Sequence, residues 1–473
     1  MIPHRSSPRW TIALCAIAFF MVALDALVVT TALPAIQREL HVGVPTLEWT
    51  VNAYALTYAA GIVTAAALGD RLGRVRVFTA GLALFTLASA ACALAPDAGL
   101  LLAARAIQGA GAAAVMPLSL TILTAAFPAE RRGAVVGIWG AIGGLAVASG
   151  PVIGGAITQG IDWHWIFWVN VPIGLTAVIL SLRRLAETHG PSARIDLPGL
   201  GLITAGAISL VWALVRSGAA GWGSSEVQAT LIAGILMLAA FIAWERRAQA
   251  PMIPPRLFKD RTFAAANATA FLMLAAIMGA AFLIAQYFQL AHGEGPLGAG
   301  LRLLPWTATP IVITPAAGAL SDRVGPRPLM AAGMLLQAAG LGWFALEATG
   351  TVGYESLVLP LIVAGVGISM TLPTTTAAAL GTVAPTEIGK ASGANSTIQR
   401  FGAAFGVAIV TAVFTAHGHL ETASTFDAGF RPALAAAGGL SLLGALAATA
   451  VAAHRRPTPA VGRQLETAPA ASN

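Results

Sequence analysis

The stretch ALGDRLGRVRV (67–77) decides how this chain is read, because it is written twice. ALSDRVGPRPL (319–329) repeats its Asp-Arg-x-Gly core, and each copy stands between two long apolar runs. A bilayer core of about 30 Å needs roughly 20 apolar residues per helix. Runs of that kind occur at 10–33, 47–68, 76–95, 99–122, 134–157, 164–183, 197–216, 228–245, 262–288, 298–320, 328–347, 356–379, 391–415 and 431–453, fourteen in all. They are continuous rather than alternating, which selects helices over a barrel. The two copies follow the second and the tenth run. With the seventh and eighth set aside as an insertion, both copies occupy the same place in two six-span halves, a plan common among secondary transporters.

The basic residues test this division. With the N-terminus placed in the cytoplasm, the inside segments hold 21 of the 27 Lys and Arg residues, and the outside segments hold only three, Arg38, Arg216 and Arg431. Positive charge stays on the cytoplasmic side of membrane proteins, and an error of one span would scramble the count. The expected fold class is an all-α polytopic protein of the inner membrane, with both termini cytoplasmic. Residues 1–190 form an N-terminal six-helix bundle. Residues 191–261 form two inserted helices and a linker with Pro251, Pro254 and Pro255, and 262–455 the C-terminal six-helix bundle. Residues 456–473 read as a disordered cytoplasmic tail rich in Pro, Ala and Thr.

Composition excludes other classes. The chain is 473 residues long, 57% hydrophobic and only 10% charged, with a net charge of +7. A soluble domain carries about 25% charged residues. The positive charge is arginine in short clusters between apolar runs, which fits an anionic leaflet and not nucleic acid. Cys15 and Cys92 lie inside apolar runs, far from any disulfide or metal spacing, and read as small apolar fillers. The first run is longer than a signal peptide's apolar region of about 7–15 residues and contains Asp25, so it reads as an uncleaved span.

These features resemble the major facilitator superfamily, and within it the fourteen-span drug:proton antiporters, over nearly the whole chain. The family's loop motif Gly-x-x-x-Asp-Arg-x-Gly-Arg matches Asp70, Arg71, Gly73 and Arg74, with Arg76 as trailing base and Ala66 in place of the first glycine. LDALVVTTALPAI (24–36), RAIQGAGAA (105–113), GPVIGG (150–155) and WHWIFWVNVPIG (163–174) look like its other span motifs, with Ala146 in place of one upstream glycine. The resemblance implies a major-facilitator fold and export of drugs or antibiotics driven by the proton motive force.

Read as chemistry, Asp25 is the acid deep within a span. It sits eight residues before Leu33, about 12 Å below the outer end of its helix, and Arg105 lies about 9 Å deep on the fourth span. Intramembrane charges are costly and usually functional. Two readings stand side by side: a carboxylate that exchanges its proton for cargo, or a static ion pair that fixes two helices. Gln108 shares the face of Arg105 with Gly109 and Ala112. Gly150, Pro151, Gly154 and Gly155 form rows of small residues on the fifth span, either a gate that seals one side of a cavity or plain close packing. Asp70 and its arginines, with Asp322 and Arg323 in the second copy, read as cytoplasmic gating loops or as topology-setting charge. Asn52, Tyr54, Tyr58 and Trp49, Gln286, Tyr287 and Gln289, Trp306, and Asn395, Gln399 and Arg400 are candidates to line a substrate cavity; each is also a candidate for packing or interface anchoring.

The sequence contains no P-loop and no nucleophile–base constellation, so neither ATP drive nor an enzyme is expected, and no cofactor or metal is implied. His417, His419 and Glu421 read as a solvated loop. The expected function is a proton-coupled antiporter exporting lipophilic, neutral or monocationic organic compounds by alternating access, acting as a monomer with substrate, protons and lipid as partners and no nucleic acid. One deep acid implies about one proton per cycle. A dedicated exporter of one endogenous metabolite or lipid, and a non-transporting receptor or scaffold, are the alternatives.

Overall fold

The computed structural model describes residues 7–127, 129–190, 196–348, 352–383, 387–418 and 423–452. The proposed tail, His419 and Glu421 lie outside them, as does the side chain of Asp322. Among the described residues there is no strand. The helices are α1 (Pro8–Leu40), α2 (Val44–Leu72), α3 (Arg74–Ala93), α4 (Ala98–Ala125), α5 (Ala129–Gly160), α6 (Trp165–Trp168), α7 (Asn170–Arg184), α8 (Leu197–Ala220), α9 (Ser225–Glu245), α10 (Arg261–Leu290), α11 (Pro296–Arg302), α12 (Leu304–Thr307), α13 (Thr309–Val324), α14 (Pro326–Glu347), α15 (Tyr354–Leu380), α16 (Ile388–His417) and α17 (Ala423–Thr449). Among the described residues, thirteen helical stretches are long and apolar enough to cross a membrane, with α6 and α7 counted as one. A fourteenth, α11 to α13, is a broken span bent by 42°. Pro305 and Pro310 lie in the first positions of α12 and α13, where the missing N–H and the bulk of the ring interrupt the ladder.

Two six-helix bundles result. Helices α1 to α7 pack with one another, as do α10 to α17, while α8 and α9 form a separate hairpin. The end that carries Pro8 and Ala452 is the terminal face: Arg184 at the end of α7 lies over the Trp10 ring, 5.3 Å away, and the Ala452 N–H donates to Thr262 Oγ1 at 3.0 Å. The opposite end is the far face. The inserted hairpin lies along one seam between the bundles, where α8 packs on both α2 and α16. Trp49 belongs to this contact, with its ring 5.9 Å from that of Trp212 on α8. At the foot of α9, Glu245 accepts from the N–H groups of Met252 and Ile253 at 3.3 and 2.9 Å, which pins the linker.

The sequence repeat is also a backbone repeat. Gly73 and Gly325, the same position in the two copies, cap α3 and α14 with φ of 111° and 85°. A side chain there is strained, which explains why both copies keep glycine.

Tyr287 corrects one sequence expectation. Instead of lining a cavity it is fully buried in the second bundle, stacked on Phe430 at 4.5 Å and flanked by Phe288 and Phe344. Its hydroxyl is satisfied by His292 Nε2 at 3.0 Å. An aromatic ring of this size buried among other rings is core packing.

Candidate functional site

Five helices of the first bundle converge on Asp25. Its Oδ2 accepts from Arg105 Nη1 at 2.5 Å, and its Oδ1 accepts from Gln108 Nε2 at 2.9 Å and from Asn170 Nδ2 at 3.3 Å. Arg105 also donates through Nε to the Thr50 carbonyl on α2 at 3.0 Å and through Nη1 to Gln108 Oε1 at 2.6 Å. Ser89 Oγ on α3 accepts from Gln108 and Asn170 at 2.7 and 3.4 Å. The rings of Tyr54 and Phe167 lie 4.4 and 5.7 Å from the guanidinium. The Arg105 and Asp25 side chains are 1% and 0% exposed. In this conformation the carboxylate is closed off from both faces.

The local sequence explains how these groups meet. Gln108 follows Arg105 by one turn on α4, so both reach the same side. Gly109, on that face, lets α2 approach: a Cβ there would lie 2.3 Å from the Tyr54 carbonyl oxygen. Asn170 reaches the carboxylate from the first residue of α7, where the sixth span is interrupted just ahead of Pro172. The depth estimate for Asp25 needs correction. Helix α1 runs to Leu40, seven residues past the expected end, so Asp25 lies about 22 Å from its far end rather than 12.

Asn170, Ser89 and Cys92 are additions to the sequence reading. Cys92 Sγ lies 3.8 Å from Gln108 Oε1 and acts as a weak donor rather than a simple apolar filler; Cys15 is buried without such a contact. Glu48 is also new. It is buried on α2 two residues before Thr50, and its Oε2 has no hydrogen-bond partner. It is the second residue of the 47–68 run.

The small residues of α5 seal the far side at backbone level. A Cβ on Gly150 or Gly154 would lie 2.9 Å from Leu27 Cβ or 2.3 Å from the Val28 carbonyl oxygen of α1. One on Gly155 would lie 2.2 Å from the Pro296 carbonyl oxygen, and one on Gly300 would lie 2.3 Å from that of Pro151, so α5 and α11 touch through their main chains. Across the same seam, Gln289 Nε2 donates to the Thr31 carbonyl at 2.9 Å and the Leu297 N–H to Gln159 Oε1 at 3.1 Å. Outside this contact a crevice of about 650 Å³ opens on the far face between Arg38, His41, Gln289 and Glu294.

The loop motif is held within the first bundle. Asp70 accepts from Arg74 Nε at 2.8 Å, and its carbonyl accepts from the Gly190 N–H at 3.1 Å. The Arg74 N–H donates to the Thr188 carbonyl at 2.9 Å. Glu187 accepts from the N–H groups of Val75 and Arg76 at 2.8 and 3.0 Å and so caps α3 from a distant segment. Arg71, Arg76 and Arg323 are exposed.

The remaining cavity candidates separate into three groups. Asn52, Gln286 and Trp306 are buried and carry polar atoms without partners: both amide atoms of Asn52, Gln286 Oε1 and Trp306 Nε1. Asn395 is satisfied, donating to Asn267 Oδ1 at 3.0 Å and accepting from Gln399 at 2.7 Å. Tyr58 and Arg400 meet across the seam between the bundles, with the guanidinium 4.6 Å from the ring.

Comparison with known proteins agrees with this architecture. The Major Facilitator Superfamily model matches residues 15–304 and 263–472. The tetracenomycin C resistance and export protein of Streptomyces glaucescens is 34% identical over 410 residues, 86% of this chain and 76% of that one. The multidrug resistance protein Stp of Mycobacterium tuberculosis is 35% identical over 411 residues, again 86% and 76%. The methylenomycin A resistance protein of Streptomyces coelicolor is 34% identical over 441 residues, 92% and 90%. Among solved structures, a POT family transporter in complex with 5-aminolevulinic acid superposes with a TM-score of 0.69 at 15% identity, covering 94% of this chain and 97% of that one. The E. coli xylose transporter XylE gives 0.62 at 14%, covering 93% and 96%. These two share the fold. The chain therefore belongs to the Major Facilitator Superfamily, as a multi-pass membrane protein built for transport.

Proposed function

We propose that this protein is a proton-coupled exporter of lipophilic organic compounds, working by alternating access between its two bundles, with the terminal face in the cytoplasm. The observation that carries the reading is the Asp25 carboxylate, enclosed inside the first bundle by one cation and two amides from two other helices, α4 and α7. The names of the resistance and export relatives support the direction of transport.

The residues indicate how a proton is held. Ionised Asp25 is matched by Arg105. Protonated Asp25 needs an acceptor, and the Gln108 amide presents either its NH₂ or its carbonyl by a flip about the last torsion. The same site thus accommodates both charge states. Opening the α5–α11 contact toward the far face would admit water and a proton, and protonation would free Arg105 to release its hold on α1. Equal binding in both states shifts nothing, so coupling requires this difference.

Asp25→Asn tests the proposal in proteoliposomes. The variant should bind substrate and exchange it across the membrane without a gradient, yet fail to concentrate it under an imposed pH gradient. Uphill, pH-driven transport by Asp25→Asn would remove the coupling role. Absence of flux in the intact protein would favour a receptor or scaffold instead.

A further inference from the structure

Arg400 is a second arginine in the interior, and its surroundings differ from those of Arg105. It lies twelve residues into α16, about 18 Å from the terminal end of that helix and further still from the far end. The guanidinium points across the seam to the first bundle, 4.6 Å from the centre of the Tyr58 ring and with Nη2 3.7 Å from Met116 Sδ. The guanidinium also makes a side-chain hydrogen bond with the Tyr58 hydroxyl. Among the described residues no carboxylate lies within ion-pair distance of Arg400. Asp25 is already engaged by Arg105, and Glu48 is ten residues from Tyr58 along α2, about 15 Å.

Arginine keeps its charge under all relevant conditions. A half-buried cation at this depth, faced by a ring and a thioether, has planar donors to spare and an apolar wall beside them. Such a fork matches a planar anion. Beyond the exporter reading, and resting on it, we propose that Arg400 and Tyr58 form the recognition site for the acidic group of the cargo, so that the transported compounds are lipophilic organic acids carrying a carboxylate, phenolate or enolate. This departs from the expectation of neutral or monocationic cargo, which followed from a single deep acid and about one proton per cycle: Asp25 is engaged by Arg105, and Arg400 is a positive charge with no carboxylate partner among the described residues. The Tyr54 ring links the two arginines, lying 4.4 Å from Arg105 and edge-on to Tyr58 at 5.7 Å, so an anion on Arg400 sits one aromatic pair away from the Asp25 site.

The test uses the full-length protein in proteoliposomes, a lipophilic carboxylated dye and its methyl ester, and the variants Arg400→Gln and Arg400→Lys. Binding is read by quenching of tryptophan fluorescence and flux by dye release under a pH gradient. The intact protein should bind the acid more tightly than the ester. Arg400→Gln should weaken acid binding at least about tenfold and leave ester binding unchanged, with partial recovery in Arg400→Lys. Equal affinity for acid and ester, no binding of the acid, or an equal effect of Arg400→Gln on both overturns the proposal even if flux persists. Arg400-dependent acid binding without flux in any protein would instead sink the exporter reading and leave the anion site standing. If Arg400→Gln does not fold, Arg400→Lys with Met116→Leu carries the same comparison between acid and ester.

Discussion

Asp25 and Arg105 meet at 2.5 Å although they stand at unequal depths in their helices, fifteen residues from the far end of α1 and seven from that of α4. Helix α1 therefore overshoots α4 by about 12 Å at the far face. The overshoot carries Glu39, which accepts from Trp163 Nε1 at 2.7 Å and ties α1 to the turn before α6. The pair thus lies about 10 Å below the far end of α4, although α1 reaches well past its neighbours.

Arg105 serves three acceptors at once, the Thr50 carbonyl, Asp25 and Gln108. Lysine offers a point charge on a flexible stem and cannot fill this fork. Arg105→Lys should therefore lower pH-driven flux at least about tenfold and destabilise the protein by about 1–3 kcal/mol. Initial rates in vesicles and thermal unfolding in detergent measure the two effects. Activity equal to the parent would show that the charge alone matters.

How much of this was readable in the chain follows from the physics of each residue. Charges inside apolar runs announce themselves, so Asp25, Arg105 and Arg400 were visible, and the arginine distribution fixed the number of spans. Ser89 and Asn170 were not, because small neutral polar groups are common in membrane helices and their role depends on which helix lies opposite. Glu187 lies between spans and caps a helix more than a hundred residues earlier, a pairing that only the tertiary fold creates. The break in the tenth span was legible in principle from Pro305 and Pro310, yet an apolar count treats it as one helix. Tyr287 was misread because an aromatic beside glutamines looks like a cavity wall until its neighbours prove to be rings.

Glu48 bears on the number of protons moved. Its side chain is buried in the first bundle, and burying a carboxyl group costs stability. With Asp25 as the single proton carrier, Glu48→Gln should retain full pH-driven flux and unfold at an equal or higher temperature. The ratio of protons to substrate, read from the pH gradient that just balances a known substrate gradient, should stay near one in both proteins. A ratio of two that falls to one in Glu48→Gln would make this residue a second carrier.

His292, in the turn between α10 and α11, gives a pH dependence whose sign is fixed. Burial, and then the Arg302 guanidinium, push its value below the ordinary 6.5. The folded protein thus binds its proton less readily than the unfolded chain does. Its contribution to stability is complete above 6.5 and is lost as the pH falls below it. The thermal midpoint should drop between pH 7 and pH 5, and His292→Gln should flatten that drop. An unchanged slope in the variant would assign the acid sensitivity to another group.

The far-side seal makes the sharpest structural demand. Gly155 faces the Pro296 carbonyl oxygen so closely that an added Cβ would come within 2.2 Å of it, against main chain rather than a movable side chain. Gly155→Ala must push α5 and α11 apart, and since Gly300 presses on the Pro151 carbonyl of the same crossing, the displacement spreads along the contact. The sealed state should lose population to one open at the far face. A cysteine at Thr31, whose carbonyl accepts from Gln289 across this seam, should become reactive to a membrane-impermeant thiol reagent in Gly155→Ala and stay protected with Gly155 in place. Vesicles holding the variant should also leak protons faster. Unchanged protection of that cysteine would mean that the α5–α11 crossing is simple packing, and that whatever closes the far side lies elsewhere.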